Sequence, residues 1–424
     1  MSESPFKISI ADATLDRLQQ KLKLTTLPDE LEGAGWDYGV PLADVKRLVA
    51  RWRDGYDWRH HEAQLNAALP QFTRGISVEG HGTLSVHYVH QRSEVAGAIP
   101  LLFVHGWSIP SPHSGTALIS SHSRAGKLSR GRKIVPLLSE KSADHPSFHV
   151  VVLGLPGYGF SEGPSTKGFD MAQYAEVGNK LMLALGYNEY GSSNYPLLTQ
   201  GGDWGFPITR TIALVYGEKH SKAWHTNMVM GRPPADQSTT EFTPTEQAAL
   251  ARTELFRSRG SGYSAEQSTQ PQTLGYSLAD SPVGLLAWIY EKLVTWTDNY
   301  PWDDDEVLTW VSIFWFSRAG PAASLRIYFE AGNRDMRKLF TSDARPTIPL
   351  GLSHFPRELV VVPRSWSRGM GNIVFEGEHE SGGHFAAYEK PNELVGDLRK
   401  MFGKGGPAFG VVPGQPGYSQ MGHL

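Results

Sequence analysis

The chain has 424 residues, 40% hydrophobic and 20% charged, which is ample for a packed core and excludes a disordered polypeptide. With 40 basic and 43 acidic residues the formal net charge is −3, which gives no electrostatic case for nucleic acid or an anionic membrane surface. The absence of cysteine removes disulfides, thiol catalysis and thiolate metal sites, while 12 Trp, 16 Tyr and 18 Phe suit an apolar pocket.

Residues 1–74 read as a helical arm. Leu42, Val45, Leu48, Val49 and Trp52 share one helical face, and Pro41 opens that helix. Trp36, Trp52 and Trp58 are expected packing anchors. No apolar run in residues 1–30 has the form of a signal peptide, and none elsewhere reaches the roughly 18 residues of a membrane span. The terminal Met421-Gly422-His423-Leu424 matches no common sorting signal, so a cytoplasmic setting is expected.

The period changes at Gly75, where the first part of the core (75–230) is expected to begin. Leu84, Val86 and Tyr88 alternate with Ser85 and His87 as in a strand. Ile99–Val104 and His149–Leu153 are short apolar runs of the kind found in buried parallel strands. Both end in Gly-rich loops, at Gly106 and at Gly154–Gly159, so the fold class is α/β with function at the strand C-termini. Residues 231–330 read as an inserted helical lid. Ser281-Pro282 opens one lid helix, lined by Leu285, Ile289, Leu293 and Trp296, and another is expected over Asp304–Phe316. The second part of the core (331–402) shows strand signal at Leu359–Val362 and Ile373–Phe375. Gly403–Leu424, with 7 Gly and 3 Pro, reads as a loose tail.

Two segments break the pattern. Ser108–Arg130 holds 7 Ser and no apolar period, and Gly191–Leu198 sits where a strand should lead into a turn. Surface loops accommodate such insertions at little cost; translated intron sequence is the other reading.

The chemistry begins at Gly201-Gly202-Asp203-Trp204-Gly205, which has the Gly-x-nucleophile-x-Gly spacing of a strand–turn–helix elbow. Ile208, Ile212 and Val215 share a face of the helix that follows, with Pro207 in its first turn. A carboxylate is anionic at pH 7 and attacks an electrophilic sp³ carbon without a base, which suits epoxides and alkyl halides. The bland alternative is an Asp N-cap in a Gly-rich turn. Gly382-Gly383-His384 follows a strand, although a lone His is more often structural than catalytic. Glu358 lies between the two, giving the order nucleophile, acid, His; its bland reading is a solvated carboxylate beside Arg357. His379-Glu380 does not stand at the helical zinc spacing from His384, and Gly154, Gly157 and Gly159 miss the dinucleotide order. His87 and His90 fall on opposite strand faces and form no ligand pair.

On these motifs the chain resembles the microsomal type of epoxide hydrolase within the α/β-hydrolase superfamily. The likeness covers most of the sequence, through Trp36–Gly39, Tyr56–Arg59, His105–Trp107, Gly157–Ser161, Gly201–Gly205, Ser281–Leu285 and Gly382–Ala387. It implies an α/β-hydrolase fold with a mostly parallel central sheet, an N-terminal helical arm and an inserted helical lid. It also implies roles. Asp203 is the nucleophile, His384 the base that activates water, and Glu358 the acid that orients it. Tyr263 and Tyr328 are the lid tyrosines on the epoxide oxygen, and the backbone N–H groups of Trp107 and Trp204 form the oxyanion hole. Without the resemblance either tyrosine is an ordinary lid or core aromatic.

The implied reaction converts a small apolar epoxide and water to a vicinal diol through an aspartyl ester, with no cofactor and no metal. Detoxification and secondary metabolism both fit as settings. Nucleic acid and a membrane span are not expected, and a homodimer is compatible with the reading. The sequence departs from the family pattern where Ser108 follows Trp107 and again at Gly191–Leu198. The alternatives are a haloalkane dehalogenase-like hydrolase, which shares the Asp and His without the tyrosine pair, and a catalytically impaired binding protein on the same fold.

Overall fold

The computed structural model describes residues 3–106, 134–187, 197–233, 242–334 and 344–419. Trp107, the whole of Ser108–Arg130 and residues 191–196 lie outside the described residues.

The described strands are β1 (Ser4–Pro5), β2 (Gln71–Val78), β3 (Gly82–Gln91), β4 (Ile99–His105), β5 (Phe148–Leu153), β6 (Leu197–Gly202), β7 (Ser221–Thr226), β8 (Pro349–His354) and β9 (Asn372–Glu378). They form one sheet in the order β1-β2-β3-β5-β4-β6-β7-β8-β9. The pairs from β5–β4 to β8–β9 are parallel, and the pairs from β1–β2 to β3–β5 are antiparallel. The sheet is thus mixed and mostly parallel, as the Gly-terminated apolar runs suggested. Every residue of β4 is buried, because a parallel strand covered on both faces must be apolar along its length. His105 pairs with Gly202, so the loops leaving β4 and β6 emerge side by side.

Helices α1 (Asp12–Lys23), α2 (Leu42–Asp54) and α3 (Trp58–Ala68) precede the main sheet. Helices α4 (Ile134–Ser139), α5 (Met171–Ala184) and α6 (Gly205–Tyr216) pack on it. Between β7 and β8 come α7 (Pro244–Leu255), α8 (Gly262–Thr269), α9 (Pro271–Asp280), α10 (Pro282–Thr295), α11 (Asp304–Trp315) and α12 (Arg326–Arg334). Helix α10 begins as its sequence dictates: Ser281 Oγ accepts the Gly284 N–H at 2.9 Å and Pro282 occupies the first turn. Helix α11 is capped by Asp303, which accepts the Asp305 N–H at 2.9 Å.

The arm lies against these later helices. Helix α2 packs on α1, α10 and α11. Arg51 makes a two-point ion pair with Asp305 at 2.7 Å, Arg47 pairs with Asp304, and the Tyr56 hydroxyl donates to Thr309 Oγ1 at 3.0 Å. Trp52 and Trp58 are buried anchors, but Trp36 is 39% exposed, its ring tilted against that of Tyr290 at 5.9 Å.

Four expectations need correction. Leu359–Val362 is not a strand: β8 ends at His354, and this buried run crosses the core as irregular chain. Its backbone is satisfied by a side chain instead of a ladder, since Thr253 Oγ1 both accepts from Val361 N and donates to Val361 O at 3.0 Å. An apolar run reports burial, and burial here comes without pairing. The Gly/Pro-rich end is not loose over its described part. Val412 and Tyr418 are buried, the Ser147 N–H donates to Gly417 O at 2.7 Å, and Gly417 N donates to Gly97 O at 2.8 Å. Leu197 and Leu198 belong to β6 and not to an insertion. On α6, Ile208 and Ile212 are buried whereas Val215 is exposed at the helix end.

Trp52 is 1% exposed on the inner face of α2. Replacing it with Ala should lower unfolding free energy by about 3–5 kcal/mol, read from the urea midpoint at unchanged slope.

Candidate active site

Strand β6 ends and α6 begins within three residues, and Asp203 sits on the turn between them with φ of +53°. A non-Gly residue there is strained and persists only when its surroundings hold it. They do. A Cβ at Gly201 would strike the Gly205 carbonyl, one at Gly205 the Val104 carbonyl, and one at Gly106 the Asp203 carboxylate itself. The elbow spacing is therefore a steric requirement of three chains packed together.

The structure brings Asp203, His384 and Glu358 into one hydrogen-bonded row. His384 Nε2 lies 2.8 Å from Asp203 Oδ2, and its Nδ1 is hydrogen-bonded to Glu358 Oε1. His384 is 0% exposed, and both carboxyl groups are buried. Glu358 is thus no solvated carboxylate beside Arg357. Its Oε1 also accepts from its own following amide, Leu359 N, at 2.7 Å. The His384 amide donates to the Trp296 carbonyl at 2.9 Å, and the Trp296 ring stands edge-on to the imidazole at 5.1 Å.

Burial alone would push the His384 imidazolium down. The Glu358 charge and the Asp203 hydrogen bond outweigh it and push the group up to about 10. Burial alone would raise Asp203, and its bond to the imidazolium reverses that and holds it below the usual carboxylate range, with the Trp204 N–H contributing. His105, 6.1 Å ring to ring from His384, is pushed by burial down to about 4 and stands neutral. Neither of its ring nitrogens has a partner among the described residues.

The tyrosines come from the helices above. Tyr328 on α12 stands edge-on to Trp204 at 4.8 Å, and Tyr263 on α8 stands edge-on to Tyr328 at 5.8 Å. Burial first, then nearby charge or phenol, pushes both hydroxyls well above their ordinary range, so they stay protonated donors. Of the two oxyanion candidates, Trp204 stands at the start of α6, and Trp107 lies outside the described residues. Among the described residues no cluster of His, Cys, Asp or Glu could hold a metal ion.

Sequence reasoning assigned no role to Tyr158, Trp296 or Glu389. Tyr158 is buried next to this group, its hydroxyl donating to Ser324 O at 3.1 Å. Its only signal was its place between Gly157 and Gly159. Trp296 carried a helical apolar period and nothing more.

A carboxylate elbow at the C-terminal edge of this sheet, with His and acid following in chain order, defines an α/β-hydrolase. Residues 3–111 match the family model for the epoxide hydrolase N terminus. A Stigmatella aurantiaca protein with a provisional epoxide hydrolase name is 36% identical over 94% of this chain and 84% of its own. Epoxide hydrolase 1 of Sus scrofa is 31% identical over 94% of this chain and 88% of its own. The Aspergillus niger epoxide hydrolase structure superposes with a TM-score of 0.77 at 34% identity, covering 94% of this chain and 95% of that one. The chain belongs to the epoxide hydrolase family. No described helix is long and apolar enough to cross a membrane.

The raised His384 gives a pH test. Its stabilisation is complete below the ordinary value of 6.5 and drains away as pH rises through about 10. His384→Gln should therefore melt about 5 °C below wild type at pH 7, and the gap should close by pH 10.5 in thermal scans.

Proposed function

We propose that this epoxide hydrolase opens its substrate by direct attack of Asp203, forming an aspartyl ester that His384 then hydrolyses. One observation carries the reading: a buried carboxylate on a strained elbow, joined to an imidazole and faced by two protonated tyrosines.

The steps balance. Asp203 Oδ attacks one epoxide carbon, the C–O bond breaks, and Tyr263 or Tyr328 gives its proton to the leaving oxygen. Esterification removes the Asp203 charge that had held the imidazolium, so its affinity for the proton falls. That proton restores the tyrosine through solvent and leaves His384 neutral. The imidazole, oriented by Glu358, takes a proton from water, and the hydroxide adds to the ester carbonyl. The Trp204 N–H, with that of Trp107 as its proposed companion, stabilises the oxyanion. Collapse releases the second alcohol, which His384 protonates, and Asp203 returns its own proton to His384. The net change is one epoxide plus one water to one vicinal diol.

Trp204, Tyr263, Trp296 and Tyr328 supply aromatic surface around the elbow, which favours an apolar epoxide. The tyrosine pair also separates this reading from dehalogenation, since a departing halide takes no proton.

The test is diol formation from styrene oxide. Asp203→Ala should lose at least about a thousandfold in kcat/KM, and Tyr263→Phe or Tyr328→Phe roughly a hundredfold each. His384→Gln should stall, and the peptide carrying Asp203 should gain the mass of one substrate. Halide release from 1-bromobutane without any diol would move the assignment to a dehalogenase. Binding of styrene oxide without turnover would leave a binding protein.

A further inference from the structure

Glu389 is a buried acid that the reaction above does not use. It ends the short helix Ala386–Glu389, five residues after His384. Its Oε1 accepts the Gly383 N–H at 2.8 Å, and its Oε2 accepts the Asp298 N–H at 2.9 Å. Those amides belong to different parts of the molecule. Gly383 immediately precedes His384, and Asp298 follows the C-terminus of α10. Two further bonds run across the same seam: His384 N to Trp296 O at 2.9 Å, and Gly382 N to Asp298 Oδ2 at 2.9 Å. A third ties the loop to the acid side, from Arg357 N to Gly382 O at 3.0 Å, one residue before Glu358.

The backbone is shaped for this contact. Gly382 holds a φ of +118°, and a Cβ at Gly383 would meet the Trp296 carbonyl at 2.6 Å and Glu389 Oε1 at 3.0 Å. Burial, with the Asp298 and Glu358 charges adding, pushes the Glu389 carboxyl up to about 7 against its two backbone donors. Arg357 is turned to Asp298 at 3.6 Å and not to Glu389. An acid kept in so unfavourable a place is held by its geometry. A carboxylate offers an acceptor to each amide at once; an amide side chain offers one acceptor and turns an N–H toward the other donor.

We propose that Glu389 is a positioning residue for the water-activating base: by bridging Gly383 and Asp298 it fixes the His384 loop against the end of α10. The inference rests on the aspartyl ester reading. It predicts a step-specific defect, because ring opening needs Asp203 and the tyrosines, whereas ester hydrolysis needs His384 aligned to within a fraction of an ångström.

The experiment is rapid-quench turnover of styrene oxide by the full chain, with the ester on Asp203 quantified by mass. Its burst amplitude counts folded sites. In Glu389→Gln the rate of ester formation should stay within about twofold, while ester hydrolysis slows at least about tenfold. Ester should accumulate, with kcat and KM falling together. Asp298→Ala, which removes the Gly382 acceptor of the same seam, should show the same pattern more weakly and serves if Glu389→Gln yields no folded protein. Equal slowing of both steps, or unchanged hydrolysis in both variants, overturns the proposal. Absence of ester in wild type and in His384→Gln alike would overturn the aspartyl ester reading instead, which separates the two failures.

Discussion

A cation with no access to solvent must be neutralised on the spot, and the His384 imidazolium sets that requirement for the whole molecule. Unpaired, such a charge costs several kcal/mol or more. Its two partners come from far along the chain, Asp203 from the end of β6 and Glu358 from the segment after β8, while His384 itself follows β9. Parallel neighbours solve the problem of gathering them, because strands that run the same way deliver their ends to one edge. The order β6-β7-β8-β9 keeps these three termini together. The α/β architecture is thus the device that makes a paired, buried imidazolium affordable.

The elbow stores strain, and the sheet restrains it. A non-Gly residue at φ +53° costs about 1–3 kcal/mol, and backbone from β4 and α6 packs tightly against the glycines two residues to either side of it. Strain and charge act together here. The same turn that forces Asp203 out of the ordinary backbone region puts its carboxylate at the start of α6, where helix dipole and amide favour an anion. His105 beneath stays neutral and adds no competing charge.

Much of this was readable in the letters, and what was readable had steric or periodic causes. Gly201 and Gly205 are glycines because backbone lies where their Cβ atoms would be, and Gly106 because the Asp203 and Trp204 side chains lie there, so the motif announced the turn. Ile99–Val104 announced β4 because both its faces are covered. What escaped was whatever depends on distant chain. Leu359–Val362 looks like a strand, yet its polar backbone is met by Thr253, a partner no local pattern can name. The glycines after 403 looked loose, and Gly410, Gly414 and Gly417 instead bend the chain through positive φ so that Val412 and Tyr418 can bury. Glu389 was one acid among 43, and only the fold shows which two amides it faces.

The contact between the arm and the helices α10 and α11 bears on how such a protein can diverge. Individually the Arg47–Asp304 and Arg51–Asp305 pairs join partly exposed side chains and are worth little, but they specify which surfaces belong together. Tyr56 and Thr309 meet in that seam through a hydroxyl hydrogen bond. A recombinant that took its first 70 residues from one relative and its α10–α11 pair from another would therefore mismatch two self-consistent halves, even if each half were native to an active parent. Inheritance through this seam is expected to be joint: segments more than 200 residues apart in the sequence must change as one unit.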